Sequence, residues 1–169
     1  MPNEDILFKN IERRIVDITV QVNHASKKGI SNQAKSGYYR FAILLACTIV
    51  EGQLFHLVKK YLVKYGGNMG IDIRYKNPHN IPKRYITEGT VICIQEKVEI
   101  PLSNQTKFND LIGWASKKKL ISNSGKTKLE KVMRLRNRIH LQSLEVKDSG
   151  YTKKKLDDIF NTIAYLAEI

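Results

Sequence analysis

Arg136, Asn137 and His140 lie within five positions of one another, and they are the residues of this chain best suited to work on a phosphate. A guanidinium grips phosphate oxygens through two parallel N–H donors and favours the extra negative charge of a transition state. An imidazole titrates near neutral pH, so it can take or give a proton. A side-chain amide can hold the imidazole tautomer or a phosphate oxygen. On a helix, Arg136 and His140 are four apart and stack one turn above the other. Arg134 is six before His140 and points about 120° away from it. A single such residue at a helix end usually borders the core and nothing more; the convergence of three favours chemistry.

The element that must position them is a helix over residues 128–141, K-L-E-K-V-M-R-L-R-N-R-I-H-L. Leu129, Val132, Met133, Arg136, Ile139 and His140 recur at steps of three and four and share a face. An apolar stripe that runs into an arginine and a histidine requires partners for both. Asn137 is expected in the same inward cluster. A second long helix is predicted over residues 32–65, apolar nearly all round at 41–50. Glu51 interrupts it, on the line of Leu44, Cys47, Leu54, Phe55 and Val58. A carboxylate there either pairs with a cation from another helix or has its pKa raised. Arg136 is the cation that would unite the two helices.

The remaining elements follow from periodicity. Residues 3–24 form an amphipathic helix with Ile6, Leu7, Ile11, Ile15, Ile18 and Val22 as its stripe. A polar loop at 25–31 and the pair Gly66–Gly67 bound the long helix. A shorter helix at 104–120 turns Phe108, Leu111, Ile112 and Ala115 inward, with Trp114 as a packing anchor. The S-N-S-G at 122–125 reads as a turn. A last helix at 151–169 carries Leu156, Ile159, Phe160, Ile163 and Leu166. Residues 68–103 hold three of the four prolines (Pro78, Pro82 and Pro101) and are the least helical stretch. Within them, residues 90–100 hint at a short strand or hairpin. Arg74, Lys76, Lys83 and Arg84 are available there to an anionic ligand, and His79 reads as a turn residue. The expected fold is a single all-α domain, a helical bundle with an irregular insertion at 68–103.

Charge narrows the partners. The 169 residues carry 29 basic and 16 acidic side chains, a net +13, which calls for nucleic acid or an anionic membrane surface. Residues 117–138 contain nine basic residues and one acid, a net +8 of that total. Lys117, Lys118, Lys119, Lys128, Lys131 and Arg138 would gather phosphates around the arginine–histidine cluster. Tyr151 and Lys153, Lys154 and Lys155 extend the patch. No aromatics are interleaved in it, so ordered base stacking is not expected. No apolar run reaches the ~20 residues of a bilayer span, and the N-terminus lacks the pattern of a secretory signal. The basic residues are not laid along a markedly amphipathic surface helix, so membrane association is not expected, and a reducing, cytoplasmic setting is. Cys47 and Cys93 are too far apart for a zinc knuckle, and the four histidines show no helical pairing. No metal or other cofactor is expected, and no glycine-rich phosphate loop is present.

With these residues in view, the chain resembles the HEPN superfamily, small helical bundles of which many are metal-independent endoribonucleases of toxin–antitoxin, phage-defence and RNA-processing systems. The family's signature is an arginine, four to six residues, then a histidine, with a polar residue commonly just after the arginine. Arg134 and His140 satisfy the spacing. Arg136-Asn137 looks like the usual dipeptide, one residue short of the range. Helix geometry favours Arg136 and family spacing favours Arg134. The long helix with Glu51 matches the family's preceding helix, whose acid often faces the motif. The resemblance covers 32–65 and 124–169, with no counterpart for 68–103. It implies that His140, Arg136, Arg134, Asn137 and Glu51 are catalytic, that the six basic residues named above bind RNA, and that the active form is a homodimer. It also implies a possible antitoxin partner protein. A non-catalytic HEPN-like module that binds nucleic acid, nucleotide or protein is the alternative reading.

Overall fold

The computed structural model describes residues 4–76, 94–139 and 150–169. Among the described residues there are five helices and one two-stranded hairpin: α1 (Glu4–Ala25), α2 (Asn32–Tyr65), β1 (Gly70–Lys76), β2 (Ile94–Ile100), α3 (Phe108–Lys117), α4 (Asn123–Ile139) and α5 (Lys153–Ala167). The all-α bundle with a β-containing insertion is therefore the observed architecture.

α2 is the axis. Ser31 caps its start, its Oγ accepting from the Ala34 N–H at 3.2 Å, which satisfies one of the free first-turn donors. Gly66, at φ 72°, ends it in a conformation that a side chain resists. Ala42, Ile43, Ala46, Cys47, Val50, Leu54 and Val58 are wholly buried along it. α1, α3, α4 and α5 all pack on α2. By length and composition α2 is apolar enough to cross a bilayer, and half of that apolar window is buried inside the protein. Run length overlooks this, because Glu51 and Gln53 end the run at Val50 while apolar residues resume at Leu54.

The inward faces of α3, α4 and α5 follow their periodicity. Phe108, Leu111, Ile112, Trp114 and Ala115 of α3, Leu129 and Val132 of α4, and Leu156, Ile159 and Leu166 of α5 form one cluster with α2. Trp114 is the anchor expected of it, buried and meeting the Tyr61 ring edge-on at 5.5 Å between centroids.

Three expectations are corrected. The S-N-S-G stretch is the first turn of α4, not a free turn. The Ser122 Oγ caps it by accepting from the Gly125 N–H at 3.0 Å. The α1 stripe is only partly inward: Ile18 is buried, but Ile6 and Ile15 are exposed. Among the described residues α1 packs on α2 alone, and one line of contact covers only a narrow strip of a helix. Phe41 is likewise exposed, on the turn where α2's apolar girth exceeds its covering. The insertion contributes an antiparallel hairpin, with Gly70 opposite Ile100 and Lys76 opposite Ile94. The strand hinted at in 90–100 is β2. Pro78, His79, Pro82, Lys83, Arg84 and Cys93 lie outside the described residues.

Candidate functional site

α4 positions the candidate site by its rotation about its own axis. Leu129 and Val132 are buried, and Met133 and Ile139 are packed against the core, so the inward stripe ends on the side of Arg136. That side faces α2. The Arg136 guanidinium meets the Glu51 carboxylate at 3.2 Å, with 29% and 27% of the two side chains exposed. Glu51 thus resolves as the paired carboxylate, and its cation is the one expected. With under a third of each side chain open to water, the pair keeps most of its Coulomb attraction and leaves one edge open to a ligand.

Cys47, one turn before Glu51, lies under this pair. It is wholly buried, with its Sγ 4.0 Å from the Val132 carbonyl oxygen. Burial pushes its thiol up to about 12; Arg136 acts in the opposite direction and Glu51 adds to the rise. A thiol held protonated in this way is no nucleophile at neutral pH. Its role is to fill space between α2 and α4.

The two arginines are separated cleanly. Arg134 lies on the outer side of α4, where its Nε donates to the Glu130 carbonyl oxygen at 3.3 Å and its guanidinium reaches the Glu130 carboxylate at 3.9 Å. Its side chain is 69% exposed. Asn137 is exposed as well, which corrects its place in the inward cluster. One residue further along a helix is about 100° further round, so Asn137 turns out where Arg136 turns in. His140 directly follows the last residue of α4 and lies outside the described residues.

The basic candidates are solvated. Lys117, Lys118, Lys119, Lys128, Lys131 and Arg138 are all exposed. The Lys118 ammonium lies 5.8 Å from the Trp114 ring centroid. Lys119 holds φ 57° at the end of α3, where its N–H bonds the Ser116 carbonyl and the Leu120 N–H bonds the Ala115 carbonyl. That paired closure is a Schellman motif, and it fixes how α3 hands over to α4.

A second basic feature lies round the helix from Arg136. Lys128, Lys131, Val132 and Leu135 of α4 face Lys155, Asp158, Ile159, Asn161 and Thr162 of α5 across a groove of about 310 Å³. Lys155 is thus part of the patch, as expected. Asp158, Asn161 and Thr162 carry no sequence signal, because only the pairing of α4 with α5 brings them to the lysines. The start of α4 is locked to α5 by Tyr165. Its hydroxyl accepts from the Ser122 N–H at 3.0 Å and lies 3.2 Å from the Ser122 Oγ. Its ring fills the space beside Gly125 that any Cβ would occupy. Tyr151 does the same for α5: buried, its N–H donates to the Ser36 Oγ of α2 at 3.2 Å. Among the described residues, no group of three or more His, Cys, Asp and Glu is placed to hold a metal ion. Compared with models of protein families, with curated proteins and with solved structures, the chain matches none.

Proposed function

We propose that the protein is a metal-independent endoribonuclease of HEPN type, acting in a toxin–antitoxin or phage-defence setting. The observation that supports this reading most is the Arg136–Glu51 pair. It holds a guanidinium, under a third of its side chain open to solvent, at the end of the helix that leads into His140, inside a segment of net +8.

The chemistry needs no metal, because RNA carries its own nucleophile. A base removes the proton of the 2′-OH, and the 2′-oxygen attacks the neighbouring phosphorus. The bond to the 5′-oxygen breaks, and an acid protonates that oxygen as it leaves. The products are a 2′,3′-cyclic phosphate and a 5′-OH. His140 is the proposed acid–base group. Arg136 is the proposed binder of the phosphoryl oxygens, with Glu51 setting its orientation. Arg134 and Asn137, both outward, take the flanking phosphates. In a twofold dimer each chain would supply one histidine, so that acid and base come from two subunits.

The test is cleavage of a mixed-sequence RNA in EDTA by the wild type and His140→Ala. Loss of at least 100-fold in rate in the variant is expected, with cyclic phosphate ends in the wild-type products. No cleavage by the wild type, or equal cleavage by both, overturns the reading.

One observation favours a second reading. The Arg136 guanidinium already has a carboxylate partner, as a purely structural pair would. The protein is then a non-catalytic RNA-binding module, and salt-dependent RNA binding survives His140→Ala with no products formed.

A further inference from the structure

The groove between α4 and α5 is a different face of α4 from the one that carries Arg136. We propose that it is a separate phosphodiester-binding exosite, which holds the backbone of an RNA strand on a face of α4 other than that of Arg136. This rests on the reading of the protein as one that acts on RNA, and it adds where the strand is held.

Three lysines line it, Lys128, Lys131 and Lys155, against one acidic residue, Asp158. Two of the three are already positioned. The Lys155 ammonium donates to the Gly150 carbonyl at 2.8 Å and lies 5.5 Å from the Tyr151 ring centroid. The Lys128 ammonium lies 5.1 Å from the Tyr165 ring centroid. Both rings belong to residues that fasten α5 to its neighbours. Lysines held in this way lose less side-chain freedom when an anion arrives than lysines waving in solvent. Neighbouring Lys153 is excluded from the count, since Asp157 lies 3.8 Å from its ammonium.

The groove also has a shape that a bare charge patch lacks. Val132, Leu135 and Ile159 give it apolar walls, and Asn161 and Thr162 add polar side chains. The Thr162 hydroxyl, only 2% exposed, donates to the Asp158 carbonyl oxygen at 3.1 Å and shapes the floor of the groove. Lys128 to Leu135 covers about 10 Å of helix axis. A slot of that length, alternately charged and apolar, suits the phosphate–sugar alternation of a nucleic-acid strand. A bilayer surface would present headgroups to the rim lysines and leave the apolar walls unused.

The test is fluorescence anisotropy of a labelled 12-nucleotide RNA, with His140→Ala in every protein so that no strand is cut. Added to it, the triple change Lys128→Gln, Lys131→Gln, Lys155→Gln is expected to weaken binding at least tenfold. The slope of log affinity against log salt should fall by about 2, the release expected for three phosphate contacts on a single strand. Lys131→Gln alone, at an exposed position, guards against misfolding and should give about a threefold loss. Equal affinity and equal slope in the triple variant overturn the exosite and leave the nuclease reading standing. Groove-dependent binding in a protein whose wild type cuts nothing supports the exosite and removes the nuclease. No RNA binding by the starting protein, with or without binding to phosphatidylserine vesicles, overturns both.

Discussion

The two basic faces of α4 are built on opposite terms. Arg136 looks inward, is more than two-thirds covered and has a carboxylate at 3.2 Å. Arg134, two residues earlier, is 69% exposed and shares Glu130 with Lys126 at 3.9 and 3.8 Å. A cation leaving water must find fixed partners, because the protein cannot replace its hydration otherwise. A cation that stays in water needs none and gains little from one. Arg136 can therefore hold a ligand oxygen in one place, whereas Arg134 can only raise the local concentration of anions. One sequence run of alternating basic and apolar residues produces both, and only rotation about the helix axis tells them apart.

The comparison is broken most directly at neighbouring positions. Leu129 is wholly buried and Lys128 is exposed. Leu129→Ala is expected to cost about 2–5 kcal/mol, and Lys128→Ala less than about 0.5 kcal/mol. Urea denaturation with an unchanged m-value reads both. Equal costs would mean that α4 is rotated from the orientation described here.

Next in size is the close approach that fixes that rotation. At Gly125 an added Cβ would occupy the space of the Tyr165 ring and hydroxyl. Gly125→Ala is expected to cost about 1–3 kcal/mol by overpacking. In a Tyr165→Ala background the same change should cost almost nothing, so the double-mutant cycle isolates the contact. A cost that persists without the ring would place its cause elsewhere.

The inner and outer ion pairs give a third contrast. A cycle of Glu51→Gln with Arg136→Met should give a coupling of about 1–2 kcal/mol, nearly independent of salt. The Glu130–Arg134 cycle should give less than about 0.5 kcal/mol and vanish above about 1 M salt. Similar couplings for the two pairs would remove the distinction drawn between the faces.

How far the sequence discloses these features depends on how many elements each one needs. The inward stripes of α3, α4 and α5 need only their own periodicity, and Leu111, Leu129 and Ile159 are buried as it implies. The Arg136–Glu51 pair is a two-element feature, yet it is legible. Each residue interrupts an apolar stripe with a charge, and two such faults of opposite sign answer each other. The lock of Tyr165 on Ser122 and Gly125 is not legible, since nothing in α5 marks Tyr165 as the residue that faces the start of α4. β1 is obscured for another reason. Its alternation of Ile71 and Ile73 with Asp72 and Arg74 lies between glycines and prolines and opposite a strand of seven residues that begins at Ile94. Asn137 shows the limit of spacing arguments. Three residues before His140 puts it near the cluster along the axis, but one residue after Arg136 turns it outward.

The smallest effect sharpens the comparison at its boundary, where α3 passes to α4. Lys119 is in the basic patch, and it is also the non-glycine residue at φ 57° that closes the Schellman motif. An L side chain there costs on the order of 1 kcal/mol relative to glycine. Lys119→Gly should therefore stabilise the fold by about 0.5–1 kcal/mol, offset in part by the greater freedom of glycine in the unfolded chain. If the outer face works only by gathering phosphates, the same change should weaken RNA binding two- to threefold and lower the salt slope by about 0.7, the share of a single contact. A gain in stability with no change in RNA affinity would remove Lys119 from the binding surface and leave it as a helix stop. A loss of stability would contradict the backbone geometry from which the prediction is drawn.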